Sequence, residues 1–447
     1  MTTETEDVIV VGAGIVGLTV ADVLLARGRS VTVLERTKVG DGTSGRSTGK
    51  ATALHGARYH QLLADHGVAM ARRYADAQAA GLAHIAGNAE TASSWFQRSP
   101  AITYATTEEG RTQLEAELKA LDQAGVEARL DEVAALPFAT TGALVLDDQG
   151  RLDPRGYLDL LAARVAAHPK GSLREKTPVR AVEVGGHPAV ELDSASLQAA
   201  HVVLATLLPI SERGLTSART TPHMSHCVAL ELEGSAPTGM YMSVDEPTRS
   251  IRRATVEGMD CLVVGGEGHR LGDTPPADVH ARLARWAQDS LPVGDVVDRW
   301  STHDHQPHRG LPMAGRIGPD VPVWFATGFG GWGMTNGTAA ALVIAEGVAG
   351  TGAAAADWHR VFDPSVRGRR EVVAALRANA SVAVRFGSDR IRSNGPTCSH
   401  LGGRCRWNHL DGSWDCPLHG SRFGPTGEVL VAPATRPVTV PDAPPIS

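Results

Sequence analysis

The chain has 447 residues, with 43 basic against 49 acidic side chains, 42% hydrophobic and 21% charged content. This is the arithmetic of a soluble enzyme of two or three domains, and it excludes disordered and fibrous classes. The net charge of −6 argues against nucleic-acid binding, which needs a basic surplus or stripe.

In chain order, 7–11 is a β-branched apolar strand, 15–27 continues with helical spacing and 30–34 is a second strand, so a βαβ unit opens a parallel sheet. The apolar run 8–26 is broken by three glycines and Asp22, so it reads as this strand–helix pair and no membrane span is expected. The opening MTTETEDVIVV is acidic and is not the pattern of a secretory signal, which makes a cytoplasmic setting the expectation. A Gly/Ser/Thr-rich loop over 40–56 precedes helical stretches at 60–83, 107–124 and, opened by Asp153, 157–167. A short strand follows at 201–206. Alternation over 227–232, 239–244, 250–256 and 261–265 predicts an antiparallel, substrate-covering layer. The parallel pattern resumes at 323–326, before a glycine loop and a helix at 337–348. Residues 351–385 look helical and solvent-facing, 386–396 is a linker, and the tail is Pro-rich.

Gly12-Ala13-Gly14-Ile15-Val16-Gly17 follows the first strand and opens the first helix, and Glu35 stands 23 residues after Gly12 at the end of the second strand. The glycines permit a tight turn and let backbone N–H groups approach a pyrophosphate, while the carboxylate suits ribose hydroxyls. FAD and NAD both satisfy this pattern. There is no second such motif, and a late glycine loop, 326–337, again sits between strand and helix. That helix start can hold the electron-rich end of a flavin, so FAD is favoured.

The chain resembles the FAD-dependent oxidoreductases of the D-amino-acid oxidase/glycine oxidase superfamily, in the branch with a C-terminal Rieske module. The resemblance is carried by 42–53, Leu204-Ala205-Thr206, Gly239-Met240-Tyr241, 265–269, Trp300-Ser301-Thr302 and the late glycine loop. Motifs and resemblance together imply an FAD site of Gly12, Gly14, Ile15, Val16, Gly17, Glu35 and Arg36 around the first turn. Thr43, Ser44, Thr48, Gly49 and Lys50 join from the loop, then Val179 and Ala205, then Gly328, Gly331, Trp332, Gly333, Met334 and Thr335. The expected fold is α/β, Rossmann-like with an antiparallel substrate-domain sheet, plus a small all-β and loop Rieske domain. The oxidoreductase spans 1–385, with FAD-binding parts at about 1–85, 150–214 and 306–350 and substrate parts at about 86–149 and 215–305; the Rieske domain spans 386–447.

Five cysteines are too few for a disulfide framework, but three of them cluster near the C-terminus. Cys398-Ser399-His400, fifteen residues, then Cys416-Pro417-Leu418-His419 supplies what a Rieske [2Fe–2S] cluster needs, two thiolates for one iron and two imidazoles for the other. Cys2His2 zinc is the alternative, although zinc spacings pair Cys with Cys and His with His. By resemblance, a bridging disulfide would occupy positions 403 and 418, here Gly403 and Leu418, leaving Cys405 as a spare thiol outside the ligand set. Ser421 retains a donor toward cluster sulfur, while Phe423 replaces the tyrosine of high-potential members. Fewer donors predict a potential in the lower half of the roughly −150 to +300 mV Rieske range; a redox titration near its top would contradict this. The module looks trimmed to its cluster-binding half, so packing on the flavoprotein must help hold it.

The resemblance implies hydride transfer from a C–H beside an amine to the flavin, with a small-molecule substrate and single electrons passing through the cluster to an external carrier. Lys50, Tyr241 and Arg252 are the catalytic candidates, Arg252 as a carboxylate anchor or else as an ordinary sheet arginine. Lys50 and His55 face the flavin or are solvated loop residues. His303, His305 and His308 read as loop histidines, since no carboxylate completes a facial triad. Two alternatives stay open: a flavin reductase or monooxygenase fed by the cluster, and a flavin scaffold with the cluster as redox sensor or structural element.

Overall fold

A computed structural model describes residues 6–89, 94–211, 216–235, 237–273, 276–350, 356–369, 371, 373–377, 379–380, 382 and 394–440. Residues 386–393 of the expected linker 386–396 lie outside these residues; of the expected helical segment 351–385, the described part holds a short 3-10 helix, Asp357–Val361, and helical backbone at 371, 373–377, 379–380 and 382.

The strand Glu6–Val11 ends in four buried apolar residues, 8–11, and sits mid-sheet, where a parallel strand is covered on both faces. Val31–Leu34 and Gly171–Arg174 flank it on one side, Ser196–Leu204 and Val323–Thr327 on the other, all parallel. Met313–Arg316 closes the edge antiparallel. The helices Ile15–Ala26 and Gly333–Ala349 pack together against this sheet. Burying each Leu, Ile or Val between them contributes about 1.5–3 kcal/mol. The second helix starts at Gly333, four residues before the position expected from sequence.

A second sheet runs in the order Val293–Pro307, Thr220–Leu232, Met259–Arg270, Arg249–Val256, Met240–Ser243, Phe96–Ala105, Gly142–Leu152, Lys50–Ala51. The antiparallel layer is as expected, but it also recruits 96–105 and 142–152, which the sequence pattern did not mark as strands. The expected helix at 60–83 is two helices, Arg58–His66 and Val68–Gly87, separated at Gly67, whose φ of +83° ends the first. Asp153 caps Pro154–Ala167 by accepting from the Arg155 N–H at 3.0 Å.

The C-terminal unit is a four-stranded antiparallel sheet, Arg406–Asn408, Ser413–Asp415, Arg422–Phe423 and Val429–Val431. At its centre Arg422 donates to Asp415 at 2.9 Å, to Asp411 at 2.6 Å and to Ser413 at 2.8 Å. This buried pairing ties the turn at Asp411 and the strand Ser413–Asp415 to the strand Arg422–Phe423.

Candidate functional site

The two sheets and the C-terminal unit enclose a cavity of about 1020 Å³, large enough for a dinucleotide. Its floor is the first turn. Gly12 has φ +106°, and a Cβ there would lie 2.5 Å from the Ala205 carbonyl oxygen; Gly14 leaves room for the Ser44 hydroxyl, which accepts from the Ile15 N–H at 3.0 Å. The Glu35 carboxylate accepts from the Ala13 and Thr37 N–H groups at 2.9 and 3.0 Å. Arg36 is held beside it, and its Nε is buried without a protein partner among the described residues. A turn closed to any Cβ, with an orphaned guanidinium nitrogen beside it, fits a pyrophosphate-bearing cofactor.

Of the expected FAD residues, Gly12, Gly14, Ile15, Val16, Glu35, Arg36, Thr43, Ser44, Thr48, Lys50, Val179, Ala205, Gly331, Trp332, Gly333 and Met334 line this cavity. Gly17, Gly49, Gly328 and Thr335 stand behind it. Gly17 packs on the Gly12 carbonyl, Gly49 on that of Leu152, and Gly328 on Pro307. Thr335 donates to the Thr52 carbonyl at 3.1 Å and meets His55 Nε2 at 3.3 Å. His55 is no solvated loop residue: it is buried, hydrogen-bonded to the Tyr74 hydroxyl at 2.7 Å, and stacked on Trp332 at 4.3 Å.

Lys50 enters the cavity wall from its short strand. Its ammonium donates to the Tyr241 carbonyl and the Ser250 hydroxyl, both at 2.6 Å. Burial first, and then Arg252, push its pKa down to about 7. Neither of the other two catalytic candidates lines the cavity. Met242 faces it, so its neighbour Tyr241 points to the opposite side, where its hydroxyl donates to the Ala135 carbonyl at 3.1 Å. Arg252 shares the face of Ser250 but lies a step further along the strand, buried, bonded to the Arg253 carbonyl at 3.3 Å. Sequence reasoning missed Ser225, His226 and Cys227, which reach the cavity on consecutive positions of Thr220–Leu232 beside a register shift between Met224 and His226; such an irregularity leaves no local sequence signal.

At the C-terminal site the Cys398 N–H donates to the Gly403 carbonyl and the Cys416 N–H to that of Ser421, each at 2.8 Å, closing two facing loops. The buried Cys398 and Cys416 thiols lie within hydrogen-bond reach of one another. Donation from Cys405, then from Cys416, holds the Cys398 thiol well below its usual range. The His400 and His419 rings stand edge to face at 5.3 Å. Among the described residues no three His, Cys, Asp or Glu converge as a single metal ion requires. A sulfur pair facing an imidazole pair instead fits a two-iron cluster. Ser421 reaches Cys398 as expected, and Phe423 is buried in the apolar core of the unit.

The long strand Val293–Pro307 joins the two sites. The expected loop histidines His303 and His305 are on it, buried, with rings 5.1 Å apart. On one side, the His303 carbonyl accepts from the Thr43 hydroxyl at 2.6 Å, the His305 carbonyl from the Gly330 N–H at 3.3 Å, and the Asp304 carboxylate from the Gly331 N–H. On the other, Gly420 lies against the His303 ring, where a Cβ would come within 3.0 Å. Burial, then the nearby His419, push the His305 pKa down to about 3. Further seams run from Arg406 to the Gly272 carbonyl at 2.8 Å, from Arg180 to that of Thr435 at 2.8 Å, and from Arg36 to that of Leu430.

A dinucleotide cradle under an antiparallel substrate layer, joined to a two-loop Cys/His unit, defines a flavin oxidoreductase coupled to an iron–sulfur domain. The chain belongs to the FAD dependent oxidoreductase (DAO) family, whose profile matches residues 7–347, and the Rieske [2Fe-2S] domain matches 358–442. It is 26% identical to the Rieske 2Fe-2S iron-sulfur protein YhfW of Bacillus subtilis, over 97% of this chain and 92% of that one. A stretch of 43 residues is 46% identical to cytochrome b6-f complex iron-sulfur subunit 3 of a Nostoc species, covering 10% of this chain and 24% of that one. Glycine oxidase from Geobacillus kaustophilus superposes with a TM-score of 0.64 at 19% identity, over 80% of this chain and 97% of that one. L-amino acid deaminase from Proteus vulgaris superposes with 0.65 at 15%, over 81% and 97%. The protein is an FAD- and [2Fe–2S]-binding oxidoreductase. The Rieske match sets the zinc alternative aside. Among the described residues no helix is long and apolar enough to cross a membrane.

Proposed function

We propose that this oxidoreductase oxidises an amine or amino-acid-like small molecule at a C–N bond and exchanges the electrons through its own Rieske cluster. The bound flavin supplies the hydride acceptor, and the cluster supplies a one-electron carrier. Gly12, Gly14 and the start of the helix Ile15–Ala26 hold the pyrophosphate, Glu35 the ribose, and Lys50 with Trp332–Met334 the ring end. Cys398 and Cys416 bind one iron, and His400 and His419 the other. Near neutrality Lys50 holds or releases a proton beside the ring, and Ser225, Cys227 and Ser250 orient the substrate. A cytoplasmic setting and an external one-electron acceptor complete this reading.

The observation that carries it is the segment 303–305, whose carbonyls accept from Thr43 and Gly330 at the dinucleotide cavity while its His303 ring lies against Gly420, next to His419. Anaerobic mixing of the holoprotein with a panel of amines and amino acids tests it. Bleaching of flavin absorbance followed by the EPR signal of a reduced Rieske centre is expected. Bleaching without that signal would leave the cluster a structural element and defeat the reading.

A further inference from the structure

A third thiol, Cys405, packs beside Cys398 and Cys416, and the backbone register shows how. Thr397 and Arg404 form an antiparallel bridge. The Cys398 N–H donates to the Gly403 carbonyl at 2.8 Å and the Cys405 N–H to the Pro396 carbonyl at 3.0 Å. In such a pair, residues directly opposite, and those two apart on one strand, project from the same face. Cys398, position 403 and Cys405 therefore share a face. Position 403 is glycine, and a Cβ there would lie 3.1 Å from Cys416 Sγ and 2.6 Å from Leu418 Cδ1. Cys416 thus fills the space over Gly403, with Cys398 across the pair and Cys405 next along the face. All three are buried and pack in one cluster with Trp414, Leu418 and Phe423.

We propose that Cys405 is a positioning residue that tunes the cluster: its S–H donates a hydrogen bond to the Cys398 sulfur, in partial replacement of the donor that Phe423 cannot supply. This rests on the reading that Cys398 and Cys416 bind one iron. No bond is made or broken; the proton stays on Cys405 in both oxidation states. Reduction adds one electron, and a donor on ligand sulfur stabilises the more negative state, so the potential rises. A thiol is a weak donor in water, but in a buried site its dipole is poorly screened.

The test uses the full-length holoprotein and its Cys405→Val and Cys405→Ser variants, with iron and acid-labile sulfide measured in each. Cys405→Val is expected to lower the midpoint potential, a shift of roughly two- to tenfold in the reduction equilibrium, the worth of one hydrogen bond. It should also lose an exchangeable proton coupling to the reduced cluster, read by pulsed EPR after transfer to heavy water. Cys405→Ser keeps a donor and should keep that coupling. A normally loaded Val variant with unchanged potential and coupling overturns the proposal. So does a serine variant without the coupling, whether or not the Val variant loads. Absence of iron and sulfide from the unsubstituted protein would instead defeat the cluster reading itself.

Discussion

Lys50 is the residue whose charge state the fold controls most directly. Burial and Arg252 bring its pKa to about 7, against 10.5 for an ordinary lysine. Between those values the unfolded chain carries a proton that the folded chain lacks, so this residue makes stability rise with pH, and its cost is complete below pH 7. Lys50→Met removes that cost along with two hydrogen bonds. Relative to the unsubstituted chain, the variant gains most at pH 7 and below, by a few kcal/mol, and the gain fades as pH climbs toward 10.5. Denaturant titrations at pH 7 and 10 check it, and a difference independent of pH contradicts it. Gly12→Ala acts by shape alone. The methyl meets the Ala205 carbonyl at 2.5 Å in a left-handed conformation, a strain of about 1–3 kcal/mol. The expected outcome is a folded protein that purifies largely without flavin absorbance.

Among the elements, the strand Val293–Pro307 does most to relate the two redox sites. Asp304, whose carboxyl burial pushes up to about 6, accepts from the Gly331 N–H of the flavin loop and from the His305 N–H at 2.7 Å. Asp304→Ala removes one of the two ties between the loop and the strand and leaves the Gly330 N–H on the His305 carbonyl. Stopped-flow measurement should show flavin bleaching by substrate largely retained, with the reduced-cluster signal delayed by tenfold or more. Equal timing would mean that the strand does not set the relation between the sites. This strand is also where the sequence was least legible. Its acidic and histidine positions break the apolar alternation, so His303 and His305 read as loop residues although both are buried. The first-turn glycines, Glu35 and the Cys/His pairs were legible because each chemistry needs its residues at fixed local spacing. Tyr241 and Arg252 were misplaced relative to the cavity because a strand's facing and its rim are set by its neighbours. The recruitment of 96–105 and 142–152 into the sheet is a long-range pairing that no local pattern encodes.

At the scale of the whole molecule, the Rieske unit meets the flavin-binding part of the chain in seams from Arg406 to Gly272, from Arg180 to Thr435 and from Arg36 to Leu430. Gly272 has φ +83° and lies directly against Pro417, so a side chain there acts as a wedge. Gly272→Val is expected to leave flavin content near normal while making the C-terminal unit more sensitive to limited protease and lowering iron content several-fold. Unchanged protease sensitivity would show that the remaining contacts, Arg406 with Gly272 and Arg180 with Thr435 among them, suffice.

Val429–Val431 and Ala434–Thr435 of the Rieske unit form part of the wall beside Glu35 and Arg36, and Arg36 is tied to the Leu430 carbonyl. The Glu35 and Arg36 side of the cavity is therefore roofed by the iron–sulfur unit itself. A dinucleotide bound beneath that roof is expected to exchange with solution only when the unit lifts, so loosening the roof should speed FAD release.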